Sequence, residues 1–491
     1  MSRLLIRNCS VLVVPEMGEC HVDEGQDILI ENGRISSIGP TGTSGSSAAG
    51  TSASFPAGAS GTAPTETSAL SPSGTSASSQ AGRPADSDPP DTLDATGLLA
   101  VPGLTNAHTH SPMVMMRGAA EDVSIEDWFN DKIWPMEMNL TPERVRVGAR
   151  LACAEMLLAG VTTFVDHYFH ADQIAEAALE LGIRADLAPT FFTSTGPEAR
   201  EAAFDTARQI RALGNQKANG RPPRITASLG PHAPYTVSDD DLRRTAEVAR
   251  SEGFRVHLHA AETIDQTTSS QAQHGTTPIE ILHRTGVLES GTLIAHGCGI
   301  LDSDLELLQL HADRTTVATC PKVYLKLAMG NTTPIKQLRS AGVAVAIGTD
   351  GAAVHNTLDV WESVRLVALT EKHQQQSAEW MPLSETLRLA TRSGAKASLH
   401  NNGTLTPGHA ADIALVDLSA PHNQPLHNPL AALVYSVRPT DVVHVVVDGH
   451  LVVHNRTLTT ADLTEILTEA NAVAHTLVDL SHPGAVQHYA P

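Results

Sequence analysis

Hydrophobic positions in this chain fall into short runs with strand-like alternation, separated by longer stretches with helical periodicity, and that rhythm covers most of its length. The first 40 residues alternate as short strands do, and DILIENGRISSIG places a hairpin turn at Glu31-Asn32-Gly33. From 41 to 92 large apolar side chains nearly vanish in favour of Ser, Gly, Ala, Thr and Pro. Such a stretch cannot offset its own ordering entropy, so a disordered insertion is expected there. The strand pattern resumes at Leu93, which makes the insertion a surface loop grown long inside a β unit; closure entropy rises only slowly with length.

Between Leu98 and about Leu399 eight runs read as strands: LLAVPGLTNAH, VTTFVDHYF, IRADLAPTFF, RITASLGPH, FRVHLHA, GTLIAHG, TTVATCP and VAVAIGTD. Helical patterns such as Pro142 to Leu158 and Asp239 to Ser251 lie between them. Eight βα units in series predict an α/β protein with a (β/α)8 TIM barrel, whose active sites sit at the C-terminal ends of the strands. An open doubly wound sheet fits less well, because no GxGxxG turn follows the first strand. After Leu405 the β pattern returns in ADIALVDL and VVHVVVDGHLVVHN, so the two chain ends are expected to combine in a small β-sandwich, with a last helix near Thr460 to Leu477. The expected organisation is therefore sandwich at 1–40 and 93–100, insertion at 41–92, barrel at 101–400, and the rest of the sandwich with a terminal helix at 401–491.

With 491 residues and 41% hydrophobic content, the chain can bury a large core. Acidic residues outnumber basic ones by 54 to 33, and the formal charge of −21 repels phosphate backbones and anionic lipid, arguing against nucleic-acid and membrane partners. The opening MSRLLIRNCSVLVVP is too short an apolar stretch for a signal peptide or a span and reads as a first strand. Five scattered cysteines without a CxxC pair speak against a disulfide framework or thiolate metal site, and a cytoplasmic location is expected.

Histidine is abundant, 24 copies against 5 Tyr and 8 Phe, and its placement carries the chemistry. The first barrel strand ends in His108-Thr109-His110, and alternate strand residues share a face, so both imidazoles point the same way. The fifth carries His257-Leu258-His259 followed by Glu262, the sixth ends in Ala295-His296, and the eighth in Thr349-Asp350. Taken singly, each has a plainer reading: Asp350 as a helix cap, Glu262 as a favourable charge at a helix start, His296 as a packed strand end. Their concordance at four strand ends favours a zinc or iron centre with a position left open for water. Period alone leaves His257 and His259 as equal candidates.

The stretch VPGLTNAHTHSPMVMMRGAAEDVSIEDWF resembles the start of the barrel in the amidohydrolase superfamily, and specifically in its methylthioadenosine/S-adenosylhomocysteine deaminase family. The motifs DHYFH, GPHAPYTVS, HLHAAET and GTDGAA follow in the family's order, so the resemblance spans most of the chain. It implies His108, His110, His259 and Asp350 as ligands of one divalent ion, Zn2+ or Fe2+, and selects His259 over His257. It implies Glu262 as the acid that protonates the ring nitrogen, His296 as a hydrogen-bond partner of the nucleophile, and Asp350 as the group taking the proton from water. Along the substrate it implies Trp128, Glu137 against the ribose hydroxyls, and His232 against the purine. A second metal would call for a lysine at the end of the fourth strand, and RITASLGPH has none.

Two departures from the family pattern bear on substrate. TCPKVYLKLAMG replaces the family's usual sequence at the seventh strand, which points to a pocket edge remodelled by Tyr324. DLAPTFFTSTGPEAR lacks an early arginine for a substrate carboxylate, leaving Arg200 as its substitute. The expected activity is deamination of the 6-amino group of an adenosine-like nucleoside, of the adenosine, methylthioadenosine, S-adenosylhomocysteine or aminodeoxyfutalosine type, by a homo-oligomer. The alternatives are hydrolysis of another amino- or halo-substituted heterocycle of guanine, pterin or triazine type, and a non-catalytic scaffold, which would require lost ligands.

Overall fold

In the computed structural model, which describes residues 3–42, 91–218 and 220–477, five strands precede the barrel. They are β1 (Arg3–Val13), β2 (His21–Glu31), β3 (Arg34–Pro40), β4 (Asp91–Asp94) and β5 (Leu98–Pro102). The barrel follows: β6 (Leu104–Thr109), β7 (Val161–Tyr168), β8 (Arg184–Phe191), β9 (Ile225–Ala227) with β10 (Gly230–Pro231) as one interrupted position, β11 (Val256–Ala260), β12 (Thr292–His296), β13 (Thr315–Thr319) and β14 (Ala344–Ile347). The chain ends with β15 (Ile413–Asp417), β16 (Val442–Val447), β17 (His450–His454), β18 (Thr457–Leu458) and the helix Leu463–Leu477. The expected disordered insertion lies, apart from residues 41–42 and 91–92, outside the described residues.

The strands of the two chain ends form one continuous nine-stranded sheet in the order β18-β17-β16-β15-β5-β1-β2-β3, with β4 beside β1. Alternate residues of these strands, among them Ile6, Ile28, Ile30, Ile413 and Val446, bury a core of their own, as a period of two requires when one face is covered. The run LLAVPGLTNAH divides between this sheet and the barrel, because β5 pairs with β15 through Pro102 while Leu104 already pairs with Val161 on β7. Gly103 sits at the switch, where a Cβ would fall 2.2 Å from Thr162 Oγ1; only glycine fits so close an approach.

Most barrel-strand residues are buried on both faces, and all of β7 is buried although Thr162, Thr163, Asp166 and His167 are polar, as cover on both sides of a parallel sheet requires. They form two parallel sheets, β6 to β10 and β11 to β14. Main-chain bonds join the sheets at both edges: Leu229 bridges Val256, and Thr349 N and Asp350 N donate to His108 O at 3.1 and 2.9 Å. Asn106 staples the second edge, its carboxamide accepting from Thr349 N at 2.9 Å and donating to Thr349 Oγ1 at 2.7 Å. The helices begin where capping chemistry dictates. Thr141 caps Pro142–Leu158 and Ser238 caps Asp239–Glu252, the latter stopped by Gly253 in the left-handed region.

Candidate metal centre

Closing the barrel brings the C-terminal ends of β6, β11, β12 and β14 together, and with them the histidines and Asp350. His110 Nε2 lies 3.2 Å from Asp350 Oδ1 and 3.3 Å from His259 Nε2, and His108 Nε2 lies 3.9 Å from Asp350 Oδ1. Each imidazole is oriented from behind. His110 Nδ1 donates to His167 O at 2.6 Å, His259 Nδ1 to His232 O at 3.1 Å, and His108 Nδ1 faces His257 Nε2 at 2.9 Å. A nitrogen that donates on one side of a neutral ring leaves a lone pair on the other, so His110 and His259 turn lone pairs toward each other and toward a carboxylate. Burial, followed by the neighbouring imidazoles, holds His108 and His259 well below the ordinary imidazole range and so neutral. His108 Nε2 is buried with no hydrogen-bond partner. Lone pairs crowded in this way repel unless a cation sits among them, and orphaned buried nitrogens are costly unless they bind something. The donor set therefore fits a divalent ion, with outer partners arranged as at metal-binding histidines.

The atoms able to ligate overlap in three groups, each within 4.8 Å: His108, His110 and Asp350; His108, His259 and His296; and His110, His167 and His259. The first two contain the four expected ligands and add His296. The third adds His167, whose place in DHYFH was noted without a role; its Nδ1 meets Thr190 Oγ1 at 3.2 Å and its Nε2 is unpartnered. His257 stands behind His108, a supporting position that period alone could not separate from that of a ligand.

His296 sits between two carboxylates, with Nε2 3.8 Å from Asp350 Oδ2 and 3.8 Å from Glu262 Oε1. Its ring is 1% exposed and neither nitrogen has a partner. Burial lowers its pKa to about 4, which keeps the ring neutral near pH 7. Glu262 is gripped on its other oxygen, Oε2, by Gln266 Nε2 at 3.1 Å and Tyr235 Oη at 3.3 Å, while Gln266 Oε1 accepts from Glu262 N. Burial pushes the Glu262 carboxyl up against the opposing pull of those donors. Both His296 (φ 71°) and Asp350 (φ 66°) adopt left-handed backbone, which non-glycine residues rarely take and which concentrates at functional sites.

Above these groups is an open cleft with about 700 Å3 of free space, solvent at its mouth included. The segment between β6 and the helix Pro142–Leu158 lines it with Trp128, Trp134 and Glu137; His232 lines it from the loop after β10. Glu137 accepts from Tyr168 Oη at 2.6 Å, and burial raises its pKa to about 7. Sequence reasoning missed an aromatic wall in which Phe192 packs on His232 at 4.6 Å between ring centroids and on Phe169 at 6.0 Å, and Trp134 on Phe192 at 5.7 Å. The signal was the pair Phe191-Phe192 at a strand end, where alternation turns one ring to the core and the other to the cleft.

Two expected residues are not brought to the cleft. Arg200 lies on the helix Pro197–Ala218 with its guanidinium held by Asp241 and by Glu201, and it is not part of the lining. Tyr324 does not form the pocket edge. Its hydroxyl is pulled inward, accepting from Cys320 N at 2.7 Å and meeting Thr333 Oγ1 at 3.1 Å, and its ring stacks edge-on behind His296. Val323 and Leu327 take the edge instead.

With this geometry established, similarity to known proteins decides the family. Residues 99–452 match the model of the amidohydrolase family. The chain belongs to the amidohydrolase family. It is similar to a 5-methylthioadenosine/S-adenosylhomocysteine deaminase of Pelotomaculum thermopropionicum, with 40% identity over 80% of this chain and 89% of that one. It is also similar to a 5′-deoxyadenosine deaminase of Methanospirillum hungatei, with 38% identity over 74% and 80%. Among solved structures, an adenosine deaminase of Xanthomonas campestris with bound zinc superposes with a TM-score of 0.81 at 29% identity, covering 97% of this amidohydrolase and 98% of that chain. The strands and the sheet from both chain ends thus share the fold of that zinc-bound deaminase. Among the described residues no helix is long and apolar enough to cross a membrane.

Proposed function

We propose that this amidohydrolase removes the 6-amino group of an adenosine-like nucleoside, giving the inosine-type product and ammonia. The observation that carries the reading is His296 held 3.8 Å from both Glu262 and Asp350, which sets a carboxyl on either side of one buried imidazole. Resemblance to deaminases of adenosine nucleosides over most of the chain supports the substrate class. His108, His110, His259 and Asp350 would hold one divalent ion, zinc by preference, iron being the alternative. When bound, such an ion supplies the Lewis acidity that makes water a nucleophile near neutral pH.

The chain's own groups account for the protons. Asp350 takes a proton from the attacking water, and His296 orients that water by a hydrogen bond. Glu262, whose carboxyl burial pushes up, gives a proton to the ring nitrogen beside C6; Asp350 passes the proton taken from water to the amino group, ammonia leaves, and the C6 hydroxyl proton, released as the carbonyl forms, returns to Glu262. Because Gln266 and Tyr235 both donate to Oε2, a proton taken up by Glu262 goes to Oε1, the oxygen that faces His296. Glu137 accepts the ribose hydroxyls, His232 meets the purine edge, and Trp128 packs along the nucleoside. We place the enzyme in the cytoplasm, in keeping with five buried free thiols, and as a homo-oligomer.

The test is ammonia release by zinc-reloaded protein across adenosine, methylthioadenosine, 5′-deoxyadenosine, guanine, a pterin and an amino-triazine. Turnover confined to the adenosine nucleosides supports the proposal. Turnover confined to the other heterocycles overturns it.

A further inference from the structure

The cleft lining contains three carboxylates, Glu137, Glu262 and Asp350, but among the described residues no lysine or arginine. Cations on the flanking elements are engaged elsewhere: Lys322 with Glu362 at 2.7 Å, Lys326 with Glu121 at 2.7 Å, and Arg200 with Asp241 and Glu201. Lys132 belongs to the same covering segment as Trp128, yet it does not line the cleft. In place of a cation the outer cleft offers aromatic rings. Phe129 stacks on Trp134 at 5.9 Å, and Trp134 continues to Phe169 at 6.5 Å. Trp128 Nε1 and Trp134 Nε1 are both buried with no partner.

Resting on the nucleoside reading above, we infer that this site selects adenosine nucleosides whose 5′ substituent is uncharged and apolar, and rejects those that end in an amino-acid group. With C6 at Glu262 and His296 and the sugar hydroxyls at Glu137, the 5′ carbon projects toward the rings that share the covering segment with Glu137. An alkyl or alkylthio group there gains burial, and sulfur is favourable against aromatic edges. An unpaired indole N–H can be met by a weak neutral acceptor. A carboxylate in the same place is desolvated with no lysine or arginine in the lining to meet it, a penalty worth roughly 100-fold in selectivity.

The experiment compares kcat/KM of the zinc-reloaded enzyme for 5′-methylthioadenosine, 5′-butylthioadenosine and S-adenosylhomocysteine. The butyl compound matches the homocysteine chain in length but carries no charge. The inference expects the two neutral thioethers within about tenfold of each other and S-adenosylhomocysteine at least roughly 100-fold below them. It is overturned if S-adenosylhomocysteine comes within tenfold of methylthioadenosine, or if butylthioadenosine is rejected as strongly, which would make length and not charge the filter. Absence of ammonia from all three while adenosine is deaminated overturns this inference alone; absence from adenosine and 5′-deoxyadenosine as well overturns the nucleoside reading itself.

Discussion

Glu137 and Glu262 are both carboxyls whose pKa burial raises, yet they stand in different places and should fail differently. Glu137 meets Tyr168 and lies in the covering segment, away from the carboxyl that faces His296. As a reader of ribose it makes charge-assisted hydrogen bonds, so Glu137→Ala should lower kcat/KM for a nucleoside by about 2–4 kcal/mol, roughly 30- to 1000-fold, and barely alter slow turnover of a free base. Equal damage to both substrates would remove the ribose role. Glu262→Gln should depress kcat on both by on the order of 100-fold or more while zinc content is unchanged, since it removes only the proton donor. Loss of zinc from that variant would place Glu262 in the metal site instead. A pH effect follows as well. In the metal-free protein Glu137 titrates near 7 when folded and at its ordinary 4.5 when unfolded. Between those values the folded state holds the extra proton, so its stability falls as pH rises across that window and is level above it. Urea midpoints of the metal-free protein should fall across the window, and more gently in Glu137→Gln; parallel slopes would show that Glu137 is not the source.

At the scale of strands, the site depends on how closely β14 approaches β6. A Cβ on Gly348 would meet His108 N and His108 O at 2.9 Å each, and all three nearest atoms belong to a proposed ligand. Gly348→Ala should therefore cost about 1–3 kcal/mol of stability through overpacking and, by displacing His108 from Asp350, weaken zinc binding. Calorimetry with zinc titration checks both; an unchanged zinc affinity would mean that the edge yields elsewhere. This junction also marks what could be read beforehand. Strand ends were legible because HxH and GTD terminate strongly apolar runs, and period places polar residues at the top of a parallel barrel. The closing contacts were not, since Asn106 and Thr349 are 243 residues apart and nothing local in either stretch announces the pairing. Arg200 and Tyr324 misled for a related reason. Sequence order put them near the cleft, but Asp241, from another helix, captured Arg200, and Tyr324 turned its hydroxyl inward to Cys320 N and Thr333; spacing shows neither a partner on a distant element nor the direction a ring takes.

Across the whole molecule, the sheet that draws on both chain ends also holds the residues that flank 43–90. Pro40 pairs with Gln26, which is opposite Cys9, and Asp91 pairs with Leu4. Pro40 and Asp91 are thus separated by about five residues along β1 and three strand spacings, on the order of 20 Å. A linker of about ten residues spans that distance. Replacing 43–90 by such a linker should leave zinc content, melting temperature and kcat unchanged, since its composition supplies no core. A large loss of kcat in a well-folded deletion would assign the segment a part in the site. The central claim is most directly tested by stripping the protein with chelator and titrating zinc back while following ammonia release from 5′-methylthioadenosine. The account predicts no release without metal, a linear rise, and a plateau at about one zinc per chain with an inosine-type product. Release that persists in the stripped protein, or none at any zinc load, would contradict it.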